Sequence, residues 1–315
     1  MWQLKRYRGK WCAVSTIEGQ TVRRSSGTED YEDAVRWFDD FTRIQSAPDK
    51  TVREIYEAYR REKNEGEQRK MKFMWKNLEQ HFGDYRIDQL DRSKAKSYAE
   101  FRAAQGASNN TTLRELGSIR AAARWFDKQY PATWFMPSKP PPKDRYLTRE
   151  EYDLLLDSAS SPHIGLFIIL ALTTGARTSA ILELTWPQID FKRRMVNFGE
   201  GAHNKRRAQV PLNDKAMEAL EQAYRIRICD FVIEYSGRQL KSIRKGFDRA
   251  RDTAGLGKDV TPHVLRHSAA VWMAEAGISM DEIAQYLGHS SPQITYSTYA
   301  RYSPNYLRKA SDVLQ

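Results

Sequence analysis

The sequence has little cysteine and no long apolar run, and both shortages narrow the class of protein. Its two cysteines, Cys12 and Cys229, lie far apart among 315 residues, which excludes a disulfide framework and a cysteine-rich zinc site and fits a reducing compartment. No apolar stretch reaches the about 18 residues that a membrane-spanning helix needs. The N-terminal segment MWQLKRYRGKW has no apolar signal core. We therefore expect a soluble, cytoplasmic protein with no membrane partner.

Acidic residues are outnumbered by basic ones, and this balance favours a polyanionic partner. The chain has 51 Lys and Arg against 40 Asp and Glu, for a formal net charge of +11, and its pI is near 9.5. Such a balance favours nucleic acid as the partner, although a merely soluble basic protein has the same charge. The length allows two domains with a small third one.

The first 46 residues predict a small β-sheet followed by a helix. Turns at Gly9-Lys10 and Glu18-Gly19 separate short strand-like segments, and a helix is expected over about 31–45. Basic side chains give this sheet a cationic surface, which we interpret as DNA-contacting in preference to merely solvated. The DNA-binding candidates in this segment are Lys5, Arg6, Arg8, Arg23 and Arg24.

Residues 48–130 are predicted to form a helical domain, and a proline-rich linker follows over 131–146. One of the predicted helices starts at Met71, with Phe73 and Trp75 among its buried residues. Thr148 and Glu151 have the spacing of a capping box that opens a third domain over 147–315. That domain is predicted to be mainly helical with strands near 189–212. The predicted fold class is mostly α with small β elements (α+β).

Two arginines, two histidines and a tyrosine supply the groups of a phosphate-handling site. Guanidinium forks hold phosphate by charge-assisted hydrogen bonds, and a tyrosine hydroxyl can attack phosphorus and form a covalent intermediate. These groups predict phosphoryl transfer on a nucleic-acid backbone with neither metal nor cofactor. The alternative for Arg177 is a structural arginine paired with Glu183. The alternative for His263 and Arg266 is a capped surface helix with incidental charges. The candidates are Arg177, His263, Arg266, His289 and Tyr299.

Three segments resemble the tyrosine recombinases of the phage integrase family. TTGARTSAILELTW at 173–186 resembles the first arginine box of that family, and HVLRH at 263–267 resembles its His-x-x-Arg box. LGHSSPQITYSTYARYSP at 287–304 resembles the segment that ends in the nucleophile. Residues 48–130 are similar to the core-binding domain of the family, and residues 1–46 to the arm-binding domain of lambda-like integrases.

The resemblance implies a role for most of these residues. Arg177 and Arg266 would hold the nonbridging oxygens of the scissile phosphate in the transition state, and His289 would hydrogen-bond the same phosphate. The family often has an acidic residue where this chain has Ala180, so no acidic catalytic role is carried over. His267 is expected to be a packing residue with no chemical role.

The resemblance also predicts Tyr299 as the nucleophile, with Tyr296 and Tyr302 as its competitors. The spacing from the histidine that is commonest in the family is one residue shorter and falls on Thr298, whose hydroxyl is no substitute for a phenol.

The family uses a lysine of a β-hairpin turn as general acid for the departing 5′-oxygen. Lys205 is our choice for that role, with His203 and Arg206 as alternatives. Arg206 and Arg207 are also DNA-binding candidates in this basic turn.

The activity implied by the resemblance is site-specific DNA recombination by a phage or prophage integrase. Its expected partners are double-stranded DNA attachment sites, three further copies in a homotetramer on DNA, and a host bending protein or an excisionase, in the nucleoid of a bacterial host. The alternatives are a catalytically impaired prophage remnant that still binds DNA, a type IB-like topoisomerase, and a helix-turn-helix regulator built on residues 278–299.

Overall fold

The computed structural model describes residues 2–17, 19–45, 50–127, 134–140, 144–199, 208–304 and 307–314. The chain divides into two compact units, Met1–Pro142 and Lys143–Gln315. Helices dominate both units and the strands form small antiparallel sheets, which confirms the predicted fold class.

The first unit begins with an antiparallel sheet and a helix. Strands β1 (Gln3–Tyr7), β2 (Lys10–Ile17) and β3 (Gln20–Ser25) pair in sequence order, and helix α1 covers Tyr31–Gln45. Gly9 has a φ of 84° in the first turn, a conformation that costs other residues energy. The two predicted hairpins and the helix that follows them are confirmed, but the first turn lies at Arg8-Gly9, one residue before the predicted position. Glu18 of the second predicted turn lies outside the described residues.

A helical bundle makes up the rest of the first unit. It contains α2 (Val52–Arg61), α3 (Glu65–Phe82), α4 (Arg92–Ala104) and α5 (Asn109–Phe126), with a 3-10 turn at Ile87–Gln89. The rings of Tyr56 and Trp75 stack with centroids 4.5 Å apart in its core. The predicted burial of Phe73 is wrong, because its side chain is 71% exposed. The buried face of α3 instead runs through Met71, Trp75, Leu78 and Phe82, at the three- and four-residue spacing of one helix face.

The second unit is built around one apolar helix, α7 (Pro162–Thr173), in which seven residues are buried. Its described elements in chain order are α6 (Arg149–Asp157), α7 (Pro162–Thr173), α8 (Thr178–Leu182), β4 (Ile189–Asp190), β5 (Met195–Asn197), β6 (Gln209–Pro211), α9 (Asp214–Arg225), β7 (Glu234–Tyr235), β8 (Arg238–Gln239), α10 (Arg244–Thr253), α11 (Pro262–Glu275), α12 (Met280–Leu287), α13 (Pro292–Tyr299) and α14 (Arg308–Asp312). Within the described ranges, no helix is both long and apolar enough to cross a membrane.

The start of this unit is fastened to α11. The backbone N–H of Leu147 donates to Ser268 Oγ at 2.8 Å, and Trp272 Nε1 donates to the Leu147 carbonyl at 3.0 Å. Thr148 and Glu151 then form the predicted capping box at the N-terminus of α6. These bonds hold α11, which carries three of the groups described next.

Candidate active site

Arg177 is positioned by a tight bend between α7 and α8. Gly175 forms the bend with a φ of 57°, and a Cβ there would lie 2.5 Å from Leu287 Cδ2. Only glycine therefore allows the bend to approach α12 so closely. Arg177 follows in extended conformation at the N-terminus of α8, and its side chain is half-buried. Ala180, one turn further on, is buried in apolar surroundings.

Arg266 lies deep in the site and is held by the same bend. Its side chain is 4% exposed, and Nη1 donates to the Gly175 carbonyl at 2.7 Å. Among the described residues, the buried Nη2 has no hydrogen-bond partner. Burial, reinforced by the like charge of Arg177, lowers the pKa of Arg266 to about 10. Two guanidinium groups close enough for one to perturb the pKa of the other form a site suited to phosphate.

The histidines His263 and His289 share this electropositive surrounding. Partial desolvation, followed by the charges of Arg266 and Arg177, lowers the pKa of His263. The same causes lower the pKa of His289 to about 4. Gly288, with a φ of 64°, ends α12 in the left-handed conformation that glycine adopts readily. His289 then places Nδ1 2.8 Å from Thr295 Oγ1. Both imidazoles are therefore neutral near pH 7 and can hydrogen-bond a phosphate.

Tyr299 is the last residue of α13 and is 7% exposed. Burial raises its pKa, and the charge of Arg266 opposes that rise. Its hydroxyl lies 3.3 Å from Nδ1 of His267, and the two rings have centroids 5.2 Å apart. The structure thus brings Arg266, His267 and Tyr299 together.

The two competing tyrosines are bonded to carboxylates. Tyr296 is 46% exposed and donates to Asp281 Oδ2 at 3.1 Å, a bond that raises its pKa. Tyr302 donates to Asp144, and burial followed by this bond raises the pKa of Tyr302 to about 12. Neither arrangement favours a phenolate, whereas Arg266 does so at Tyr299.

Sequence reasoning assigned His267 no chemical role, yet the structure places it against the Tyr299 hydroxyl. A signal for this was present, because His263 and His267 are four residues apart and so share a helix face. The partner of His267 lies 32 residues away in the sequence, which no local pattern reveals.

The remaining predicted site residues fall into two groups. Lys205, Arg206, Arg207 and the alternative His203 lie outside the described residues. In the N-terminal sheet most of the candidates are exposed, but Arg24 is half-buried and donates to the Trp125 carbonyl at 3.2 Å. Arg24 is therefore turned toward α5 and is less exposed than the other candidates of the sheet. The exposed candidates are Lys5, Arg6, Arg8 and Arg23.

Comparison with known proteins gives consistent matches. The phage integrase family matches residues 145–305. Tyrosine recombinase XerA of Thermococcus onnurineus is 29% identical over 239 residues, which cover 70% of this chain and 81% of the relative. The integrase of Salmonella phage P22 is 27% identical over 322 residues, covering 93% of this chain and 78% of the relative.

Two solved structures share the fold. The Tn1549 transposon integrase, in complex with circular intermediate DNA, superposes with a TM-score of 0.72 at 21% identity, covering 84% of this chain and all (100%) of that one. A lambda integrase dimer bound to a COC′ core site gives a TM-score of 0.67 at 19% identity, covering 95% of both chains.

The fold and the matches define the class of the protein, which is a DNA recombinase of the integrase type. The chain belongs to the phage integrase family, whose members are tyrosine recombinases that cleave and rejoin DNA strands. The resemblance predicted from the sequence motifs is confirmed.

Proposed function

We propose that the protein is a site-specific recombinase, encoded by a phage or prophage, in which Tyr299 is the nucleophile. The observation that carries the proposal is the position of Tyr299. Its buried hydroxyl lies at the end of α13, within the electrostatic influence of Arg266, whose Nη2 is free of partners among the described residues. A phosphate bound by Arg266 is thereby adjacent to a phenol that can attack it.

The reaction is a pair of transesterifications. Tyr299 Oη attacks the scissile phosphorus, the bond to the 5′-oxygen breaks, and a 3′-phosphotyrosyl ester forms. Arg177 and Arg266 stabilise the negative charge of the pentacoordinate transition state, while His263 and His289 hydrogen-bond the phosphate. Lys205 is the proposed donor of the proton that leaves on the 5′-hydroxyl. A 5′-hydroxyl from a partner strand then reverses the step, so neither ATP nor a metal is needed.

The proposed organisation has three parts. Residues 1–46 form an arm-type DNA-binding domain, 48–130 a core-binding domain and 147–315 the catalytic domain, with the linker over 131–146. A related lambda integrase has been solved as a tetramer bound to a Holliday junction, which supports a homotetramer on attachment-site DNA here. A host bending protein or an excisionase completes the proposed set of partners.

A nicked suicide duplex tests this function. The core sequence is first selected from random duplexes by binding to the wild-type protein, so that selection does not depend on cleavage. We expect a covalent adduct in EDTA, its loss in Tyr299→Phe, and its retention in the matched variant Tyr296→Phe. Binding without any adduct in the wild type would instead indicate a catalytically impaired remnant. An adduct that survives Tyr299→Phe would refute the assignment of the nucleophile.

A further inference from the structure

We propose that His267 is a catalytic residue, the general base that takes the phenolic proton as Tyr299 attacks phosphorus. This inference rests on the proposed role of Tyr299. In the step, the Tyr299 O–H bond breaks, its proton moves to Nδ1 of His267, and the oxygen forms the new bond to phosphorus. The bond between phosphorus and the 5′-oxygen breaks, and that oxygen takes its proton from the general acid, so protons and charge balance.

The geometry supports a direct transfer. Nδ1 of His267 and the Tyr299 hydroxyl are 3.3 Å apart, which is within the range of catalytic hydrogen bonds that tighten when substrate binds. Both residues are held by secondary structure, His267 in the middle of α11 and Tyr299 at the end of α13. The imidazole of His289, in contrast, faces Thr295. Among the described residues, His267 is thus the histidine whose ring nitrogen contacts the attacking oxygen.

The surroundings of His267 suit a base. Its Nε2 is buried and, among the described residues, has no hydrogen-bond partner, so no bond at that end forces the tautomer that would put the proton on Nδ1. Burial lowers the pKa of His267, which keeps the ring neutral and its lone pair available near pH 7. A phenol with a raised pKa needs such an acceptor, because it does not ionise unaided near neutral pH.

A carboxylate stabilises the imidazolium that forms. Burial and the charge of Arg301 after α13 lower the pKa of His267, as does His263 on the same helix when it is protonated, whereas the charge of Asp144 raises that pKa. Asp144 is itself held by Arg301 and by the hydroxyl of Tyr302. It lies at the start of the second unit, close enough to the imidazole for its charge to raise the pKa of His267.

The test is single-turnover cleavage of the selected nicked duplex by His267→Asn over a range of pH. Asparagine keeps a hydrogen-bonding group near the position of Nδ1 but cannot accept the proton. We expect cleavage about 100-fold or more slower near pH 7, with a deficit that shrinks as rising pH ionises the phenol, and unchanged DNA affinity. The matched control is His163→Asn, because His163 packs on the ring of Tyr235 with centroids 5.4 Å apart. We expect this variant to cleave DNA at the wild-type rate.

Two further measurements sharpen the outcome. Replacement of Tyr299 by difluorotyrosine, which has a more acidic phenol, should restore cleavage in His267→Asn more than it accelerates the wild type. Asp144→Asn, a change at an exposed residue, should lower the pKa of His267, move the acid limb of the pH–rate profile to lower pH and slow the plateau several-fold.

The proposal is overturned if His267→Asn cleaves within about threefold of the wild type, or if its deficit is the same at every pH and is not reduced by difluorotyrosine. The second result would mean that His267 only positions the ring. If His267→Asn does not fold, an unmoved acid limb in Asp144→Asn overturns the proposal instead. An adduct that persists in Tyr299→Phe is a separate result, because it refutes the nucleophile and not the base.

Discussion

Arg266 shows how one side chain can join structure and chemistry. Nη1 is bonded to the carbonyl of Gly175, and Nη2 is buried without a partner among the described residues. The first bond fixes the plane of the guanidinium and leaves the second nitrogen available to hydrogen-bond a phosphate. Burying a cation near the like charge of Arg177 costs free energy, which a bound phosphate offsets.

Arg266→Lys should therefore abolish most of the activity while retaining the charge. A lysine ammonium is a single point of positive charge and cannot both bond Gly175 and reach the phosphate in a fixed plane. We expect adduct formation to slow by about 100- to 1,000-fold, the loss typical of a missing transition-state donor, with DNA affinity within about threefold. Adduct kinetics and gel shifts measure the two effects.

The control is Arg193→Lys, at an arginine whose side chain is 84% exposed. It should form adduct at the wild-type rate. Equal activity of Arg266→Lys and Arg193→Lys would show that charge alone suffices at position 266.

At the scale of elements, the site depends on close approach between helices. The bend at Gly175 lets α7 end beside α12, and α12 ends at Gly288 so that His289 faces back toward Thr295. Tyr286 reinforces this packing, because its hydroxyl donates to the Thr173 carbonyl at 2.6 Å. The bend that precedes Arg177 and the helix that precedes His289 are thus held in contact.

Gly175→Ala should destabilise the second unit more than Gly277→Ala does, because the space around Gly277 is open. Both Gly175 (φ +57°) and Gly277 (φ +80°) have positive φ, but only at Gly175 does an added Cβ meet another atom closely, Leu287 Cδ2 at 2.5 Å. We expect urea unfolding to show a loss of about 1–2 kcal/mol for Gly277→Ala, the cost of the left-handed conformation to a residue with a Cβ. The loss for Gly175→Ala should be about 2–5 kcal/mol, since overpacking adds its own cost. Equal losses would contradict the close approach.

Local sequence signals predict the start of α6 well. Thr148 caps this helix through bonds with Glu151, three positions on, because the effect acts within one turn. What local signals do not reveal involves distant parts of the chain. The buried face of α3 excludes Phe73, Arg24 bonds the Trp125 carbonyl, and His267 contacts Tyr299. Such contacts depend on how the chain folds back, which periodicity does not contain.

At the scale of the whole molecule, the net charge of +11 fits a protein that binds DNA over an extended surface. The exposed basic residues of the N-terminal sheet belong to the part of the chain proposed to bind arm-type DNA. These basic residues belong to the first unit, whereas Arg177, Arg266 and Tyr299 belong to the second.

Replacing Lys5, Arg8 and Arg23 together by alanine should weaken DNA binding and its salt dependence without slowing cleavage of bound DNA. Each lost phosphate contact should reduce the slope of log affinity against log salt by about 0.9. The slope is measured by fluorescence anisotropy at several salt concentrations with a second selected duplex, one that the wild-type protein binds but does not cleave. The control is Arg36→Ala, an exposed arginine of α1 paired with Asp33, which should leave the slope unchanged. An unchanged slope in the triple variant would refute the role of the sheet.

The central claim is that Tyr299 becomes joined to the 3′-phosphate of DNA, and mass spectrometry of the trapped adduct tests it most directly. The adduct formed on the suicide duplex is digested with nuclease and trypsin. Because trypsin cuts after Arg266 and Arg301, fragmentation locates the nucleotide within the peptide that spans residues 267–301. We predict a 3′-phosphotyrosyl nucleotide on Tyr299. A nucleotide on Tyr296, or on Tyr302 in the following peptide, would contradict the account.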